Sequence, residues 1–304
     1  MRFSVVIPVY NKAEFISDAI ESILNQAVKD FEIIVVDDGS SDEIDSVLSK
    51  YSDIKLVRQE NSGVSVARNT GINAACGDYI CFLDADDKWL PNHLKILDGL
   101  INKYPEESYF VTSHITTAPD GKEYGSSKHL SGMQEDFICE NLFKLLNERS
   151  DGIIHTNSIC IKKSVIARHN IYFEPGERIG EDTDTWFRVS LYCPLVISKA
   201  ETTVYRRENS TATKNTTNTL NWIFARRIDD ILKMNISQDV KDECVKLIDR
   251  YKMTCSRDYL LSHNRKDALK ILKTVKHKTK KFYISQLFCY MPYKLFEFIF
   301  KHIF

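Results

Sequence analysis

Asp84 and Asp86 stand two residues apart in GDYICFLDADD (Gly77–Asp87), just past a short apolar run that reads as a buried strand. Carboxylates in that pattern can bind a hard divalent cation, Mg²⁺ or Mn²⁺, and such a cation neutralises charge on a departing diphosphate. The same residues also suit a turn ahead of a helix starting after Pro91, with Asp87 as its N-cap. Asp37 and Asp38 end a second apolar run, VVDDGSSD (Val35–Asp42). A carboxylate there can accept the N3–H of a uracil ring or a ribose hydroxyl, or close a turn with Gly39 and Ser40. Arg68, on the first turns of a helix after Gly63, can reach a phosphate or a base, or form a surface ion pair. Gly180-Glu181-Asp182 opens a further helix, whose dipole favours an ionised acid. An ionised, well-held carboxylate is what a general base requires, although the spacing alone fits simple capping as well. Trp186 and Arg188, farther along that helix, can stack on and bond to a sugar; Trp186 also fits a core position.

These residues need a frame. Phe3–Val9, Phe31–Val36, Ile54–Val57 and Tyr79–Leu83 are short apolar runs that predict buried strands. Between and after them, helical spacing predicts helices over Ala13–Ala27, Asp42–Tyr51, Val64–Ala75 and from Pro91 to Lys103. Strands alternating with helices predict an α/β fold with a mostly parallel sheet built from βαβ units. Ligands of such sheets sit beyond the carboxyl ends of the strands. Pro8-Val9-Tyr10-Asn11, Asp37–Ser40 and Asp84–Asp87 all fall there, and three polar clusters at one sheet edge make a site. Beyond Ser108 the alternation loosens into a mixed β-region, with helices expected at Glu135–Leu146 and Asp182–Tyr192. Thr219–Thr274 reads as two or three helices, after a polar, low-complexity loop at Asn209–Asn218.

Of 304 residues, 43% are hydrophobic and 27% charged, a globular rather than disordered composition. Charge is unevenly placed: residues 1–100 carry 9 basic and 17 acidic side chains, residues 205–304 carry 21 and 10. The acidic part suits a metal site and the basic part an anionic surface. The eight cysteines are scattered with no CxxC pair, and the amino-terminal run reads as a strand rather than a leader, so a reducing cytoplasm is expected. Phe282–Phe304 follows the basic run Lys276–Lys281 and places Lys294, Glu297 and Lys301 on one helical face among Leu295, Phe296, Phe298, Ile299 and Phe300. That pattern predicts a helix lying in a membrane interface; docking on the protein's own core, or on a second subunit in a homodimer, is the competing reading. No basic patch interleaved with aromatics points to nucleic acid.

The chain resembles the inverting family 2 glycosyltransferases of the GT-A fold. The resemblance lies in VVIPVYNK (Val5–Lys12), VVDDGSSD (Val35–Asp42), NSGVSVARNTGI (Asn61–Ile72), GDYICFLDADD (Gly77–Asp87) and GEDTDTWFR (Gly180–Arg188), five motifs in family order over roughly residues 3–207. It implies a GT-A (Rossmann-like) domain over 1–215 and a helical region over 216–304. It implies a nucleotide-sugar donor, a UDP-sugar, and a saccharide or lipid-linked saccharide acceptor of bacterial capsule, O-antigen or lipopolysaccharide assembly, at the inner face of the membrane. Pro8, Tyr10, Asn11, Asp37, Asp38 and Arg68 would hold the nucleotide, Asp84 the ribose side and Asp86 the divalent cation, Mn²⁺ or Mg²⁺. Asp182 would be the base, with Glu181, Trp186 and the Phe173-Glu174 pair on the acceptor side. Many relatives place a histidine after the last strand; here that stretch is Tyr205-Arg206-Arg207-Glu208, so Arg206 and Arg207 are expected on the diphosphate instead. A pyrophosphorylase would need a glycine-rich loop and lysine after the first strand, which VIPVYNK does not supply. A non-catalytic nucleotide-binding subunit is the alternative that Asp84, Asp86 and Asp182 argue against.

Overall fold

Seven consecutive buried residues, FSVVIPV, form β1 (Phe3–Val9). A strand apolar on both faces belongs in the middle of a covered parallel sheet. The computed structural model describes residues 1–149, 151–177, 180–206 and 223–303, in two compact units, Met1–Thr211 and Ala212–Phe304. After β1 come α1 (Ala13–Leu24), β2 (Phe31–Asp37), α2 (Ile44–Leu48), β3 (Ile54–Arg58), α3 (Val64–Ala74) and β4 (Tyr79–Phe82). The α1 helix buries Ile16, Ala19, Ile20 and Ile23 on one stripe, each isoleucine contributing about 1.5–3 kcal/mol. The α3 helix lies so close to β1 that a Cβ on Gly71 would fall 2.2 Å from Val6 Cγ1.

The first unit continues with β5 (Lys88–Trp89), α4 (His93–Lys103), β6 (Tyr109–Thr117), β7 (Glu123–Gly125), β8 (Asp136–Cys139), α5 (Leu142–Glu148), β9 (Ile159–Lys162), α6 (Lys163–His169), α7 (Glu181–Ser190) and β10 (Leu195–Arg206). The strands make one sheet in the order β3-β2-β1-β4-β9-β6-β10-β5, with β7 on β6 and β8 on β10. It is parallel from β3 to β4 and between β6 and β10. Strands β5, β7, β8 and β9 join antiparallel, so the second half is mixed.

Three element expectations are corrected, the first being that the described part of Thr219–Thr274 holds four helices rather than two or three. Glu135–Leu146 is not one helix: Asp136–Cys139 pairs with β10, and the helix begins at Leu142. Asn141 sets that start, its side chain accepting from the Lys144 N–H at 3.1 Å. The carboxy-terminal segment is two helices, α12 (Lys280–Tyr290) and α13 (Tyr293–Ile303), separated at Met291-Pro292. Before them the second unit holds α8 (Ile223–Arg226), α9 (Ile228–Lys233), α10 (Gln238–Leu261) and α11 (Arg265–Leu272). Its core gathers Leu260, Ala268, Leu272, Phe282, Cys289 and Phe296, so α12 and α13 dock on α10 and α11 through one face. No described helix is long and apolar enough to cross a membrane.

Candidate active site

Strands β2, β1 and β4 are neighbours running the same way, so the three polar clusters meet at one edge. Asn11, at φ 51°, locks the first cluster to the second. Its backbone N–H donates to Ser40 Oγ at 3.0 Å, and its Oδ1 accepts from Ser41 N–H at 2.8 Å. Pro8 is buried within β1, while Tyr10 stands 48% exposed, its ring open to a flat ligand. Asp37 accepts from Ser40 N–H (2.9 Å), closing the turn. Asp38 is spent on the next loop, taking Gln59 Nε2 and the N–H groups of Ser62 and Gly63 at 2.7–2.9 Å. It shapes the entry to α3, with both oxygens engaged.

Arg68 is buried rather than offered to a ligand. Its guanidinium donates to Asp84 Oδ1 (2.9 Å) and Glu181 Oε1 (3.0 Å), with the Phe173 ring 5.2 Å away. Burial opposes its charge, but Asp84, Glu181 and Asp182 hold it protonated. Burial alone would raise the Asp84 carboxyl; Arg68 reverses this and holds it below the usual carboxylate range. Glu181 goes the other way, pushed up by burial and the adjacent Asp182 against the pull of Arg68. Asp87, buried and next to Asp84, is pushed well up.

The acid at the start of α7 reaches the same place. Gly180, at φ 77°, turns the chain into the helix, and Glu181, Asp182 and Asp184 occupy its first turn. Asp182 accepts from Thr183 N–H (2.6 Å) and Thr156 Oγ1 (3.2 Å), and remains partly exposed. Trp186 is 2% exposed, packed on Phe82 and Phe173, and donates to Thr156 Oγ1 at 3.1 Å. It supports the floor and offers no stacking surface to a sugar. Arg188 likewise binds Asp184 (2.8 Å) and the Tyr172 carbonyl. Phe173 is core, with its backbone tied both ways to Asn69.

The organising segment is one the sequence did not mark: His155-Thr156-Asn157-Ser158. Because β9 runs antiparallel to β4, residues preceding β9 arrive at the carboxyl end of β4. Asn157 Oδ1 accepts the Asp84 N–H (2.9 Å), its amide donates to Asp87, and its carbonyl accepts Trp89 Nε1–H (2.8 Å). Thr156 holds Asp182, as above. The His155 ring packs at a tilt against Tyr205, centroids 4.5 Å apart, and against His114, 5.0 Å apart. No periodicity announces such a turn; only the antiparallel return of β9 puts it at the site.

Arg206 caps Asp87 through its N–H (2.7 Å) and pairs its guanidinium with Asp18 of α1 at 2.7 Å. Arg207 and the loop expected at Asn209–Asn218 lie outside the described residues. Asp86 pairs with Lys12 through Oδ2, and its other oxygen takes no hydrogen bond among the described residues. No described group of three or more His, Cys, Asp or Glu is gathered for a metal. The donor set nonetheless suits Mg²⁺ or Mn²⁺, which bind through one or two carboxylates and complete their shell with substrate phosphates and water.

The model of a family described as Glycosyl transferase family 2 matches residues 4–168, over half of the chain. A Rickettsia felis protein named an uncharacterized glycosyltransferase is 34% identical over 196 residues, 62% of this chain and 30% of that protein. The amylovoran biosynthesis glycosyltransferase AmsB of Erwinia amylovora is 33% identical over 173 residues, 54% of this chain and 56% of AmsB. The chain spans roughly a third or less of the length of the Rickettsia felis, Rickettsia bellii and Rickettsia conorii proteins it matches. Among solved structures, S. aureus TarS 1–349 in complex with UDP-GlcNAc superposes with a TM-score of 0.71 at 17% identity, covering 99% of this chain and 92% of that one. That likeness shows the fold, the GT-A arrangement.

Proposed function

The chain belongs to glycosyl transferase family 2, and we propose that it moves a sugar from a UDP-sugar to a saccharide hydroxyl with inversion at the anomeric carbon. The observation that carries this reading is the hydrogen-bonded unit joining the strand-edge acids to Asp182 through Arg68, Glu181 and Thr156. One carboxylate cluster for a nucleotide and one separately held, ionisable carboxylate are the two parts such a transfer needs. The fold it shares with TarS, crystallised with UDP-GlcNAc, supports the choice of UDP. AmsB, named for amylovoran biosynthesis, supports bacterial surface polysaccharide as the setting, with a growing saccharide, free or lipid-linked, as acceptor.

In this mechanism Tyr10 and Asp37 receive the nucleotide at the edge of β1 and β2. Asp84, kept ionised by Arg68, faces the ribose side. Asp182 takes the proton of the acceptor hydroxyl as its oxygen bonds to the anomeric carbon and the bond to the diphosphate oxygen breaks. The transition state is oxocarbenium-like, as in glycoside hydrolysis. A divalent cation held by Asp86 would neutralise charge on the leaving diphosphate. Incubated with a panel of UDP-sugars, the protein should release UDP when Mn²⁺ or Mg²⁺ is present and stop on chelation. Binding without turnover on any acceptor would favour the non-catalytic subunit instead, and no binding at all would overturn the reading.

The second unit supports a peripheral contact with the inner membrane face. Tyr283, Ile284, Leu287 and Tyr290 of α12 and Leu295 and Phe298 of α13 are 45–67% exposed, beside Lys278, Lys280 and Lys281. The inward residues Phe282, Cys289 and Phe296 are already used in the core. Deleting the segment would therefore unfold its unit, and a surface variant is the proper test. Leu287→Ser/Tyr290→Ser/Phe298→Ser should abolish cosedimentation with vesicles containing anionic phospholipid, at unchanged melting temperature. Equal binding by the variant, or a shift from dimer to monomer with no vesicle binding by either protein, would overturn the membrane contact.

A further inference from the structure

The His155 ring packs at a tilt against Tyr205 and against His114, with centroids 4.5 Å and 5.0 Å away. Its Nδ1 accepts, at a long 3.4 Å, from the N–H of Asn157, which leaves the proton of a neutral ring on Nε2. Nε2 has no hydrogen-bond partner among the described residues. Burial keeps the ring neutral, even though Asp84, Asp182 and Asp86 lie close enough to favour its charged form. The ring thus stands among the carboxylates assigned to the nucleotide sugar and the one assigned to the acceptor.

The cations around it are engaged. Arg68 is bound to Asp84 and Glu181, Lys12 to Asp86, and Arg206 to Asp18. What the centre offers among the described residues is an uncharged N–H on a ring packed against its neighbours. A diphosphate draws charged donors, whereas a sugar presents neutral oxygens that a neutral N–H matches without desolvating a charge. Resting on the function proposed above, we infer that His155 is a sugar-positioning residue whose Nε2–H donates to an oxygen of the transferred sugar.

The test measures binding of UDP and of the UDP-sugar that the wild type binds best. His155→Ala should weaken the UDP-sugar by about 3- to 10-fold, the range for one neutral hydrogen bond, and change UDP by less than about twofold on the same scale. His155→Gln, which keeps an N–H at a similar reach, should recover part of the loss and also serves if the alanine variant does not fold. Equal weakening of UDP would make His155 a nucleotide or phosphate ligand and overturn the inference. Unchanged affinity for both would reduce it to packing and overturn it as well. Failure of the wild type to bind any nucleotide sugar would sink the proposed function, and this inference with it. Normal wild-type binding with either variant result above would sink this inference alone.

Discussion

Asp182→Asn should cut transfer by about 10²–10⁴-fold, the usual contribution of a general base, while the affinity for UDP stays within experimental error. The geometry makes this a clean substitution. Asparagine Oδ1 can still accept the Thr183 N–H, and its amide can donate to Thr156 Oγ1, so the start of α7 keeps its hydrogen bonds. What disappears is the ability to take a proton. Single-turnover rates with saturating donor and acceptor would isolate the step. Turnover that survives the change would move the base elsewhere in the site. Glu181 makes a poor substitute, since its carboxylate is bound to the buried Arg68.

Arg68→Met should cost about 3–5 kcal/mol of stability, the range found when one partner of a buried ion pair is removed. Methionine replaces much of the stem but leaves Asp84 and Glu181 without their shared cation. The pH dependence gives the sign. With Arg68 present, Asp84 is held below its ordinary range, so its contribution is present at neutral pH and lost as pH falls through that lowered value. Without Arg68, burial and mutual repulsion raise both acids. The unfolded chain then releases protons more readily than the folded one, so the deficit is largest at neutral pH and shrinks as the medium is acidified. Urea unfolding of both proteins at neutral and mildly acidic pH would show the two curves converging. A constant gap would mean that the arginine acts through packing on Phe173 rather than through charge.

These expectations depend on which parts of the site could be read from residue order. The first hundred residues were legible because βαβ units write themselves as alternating periods, and because a parallel sheet puts every strand's carboxyl end on one side. That shared edge is what puts Asp37, Asp84 and Asp86 together. The functions of Asp38, Arg68 and Trp186 were less legible. A carboxylate spent on a neighbouring loop, an arginine sealed between two acids and a tryptophan under the floor have the same local sequence as ligands would. Only their partners tell them apart. The turn at 155–158 was invisible for another reason. Its position follows from the antiparallel return of β9, a long-range pairing that carries no local period. The strand at Asp136–Cys139 was missed similarly, since its β-structure comes from pairing with β10 rather than from alternation.

The turn at 155–158 also ties the two acid clusters into the sheet through long-range pairing. Chain leaving β6 and re-entering at β9 is anchored at both ends: β6 is bonded to β10, and β9 to β4 and β6. Asn157 and Thr156 then clamp the two acid clusters at a set separation. The spacing of those acids is therefore set by a turn that the two pairings of β9 hold in place. The stretch from β7 to α5 is woven into the same sheet, β7 on β6 and β8 on β10, so a change made there is passed on to the strands that carry the turn.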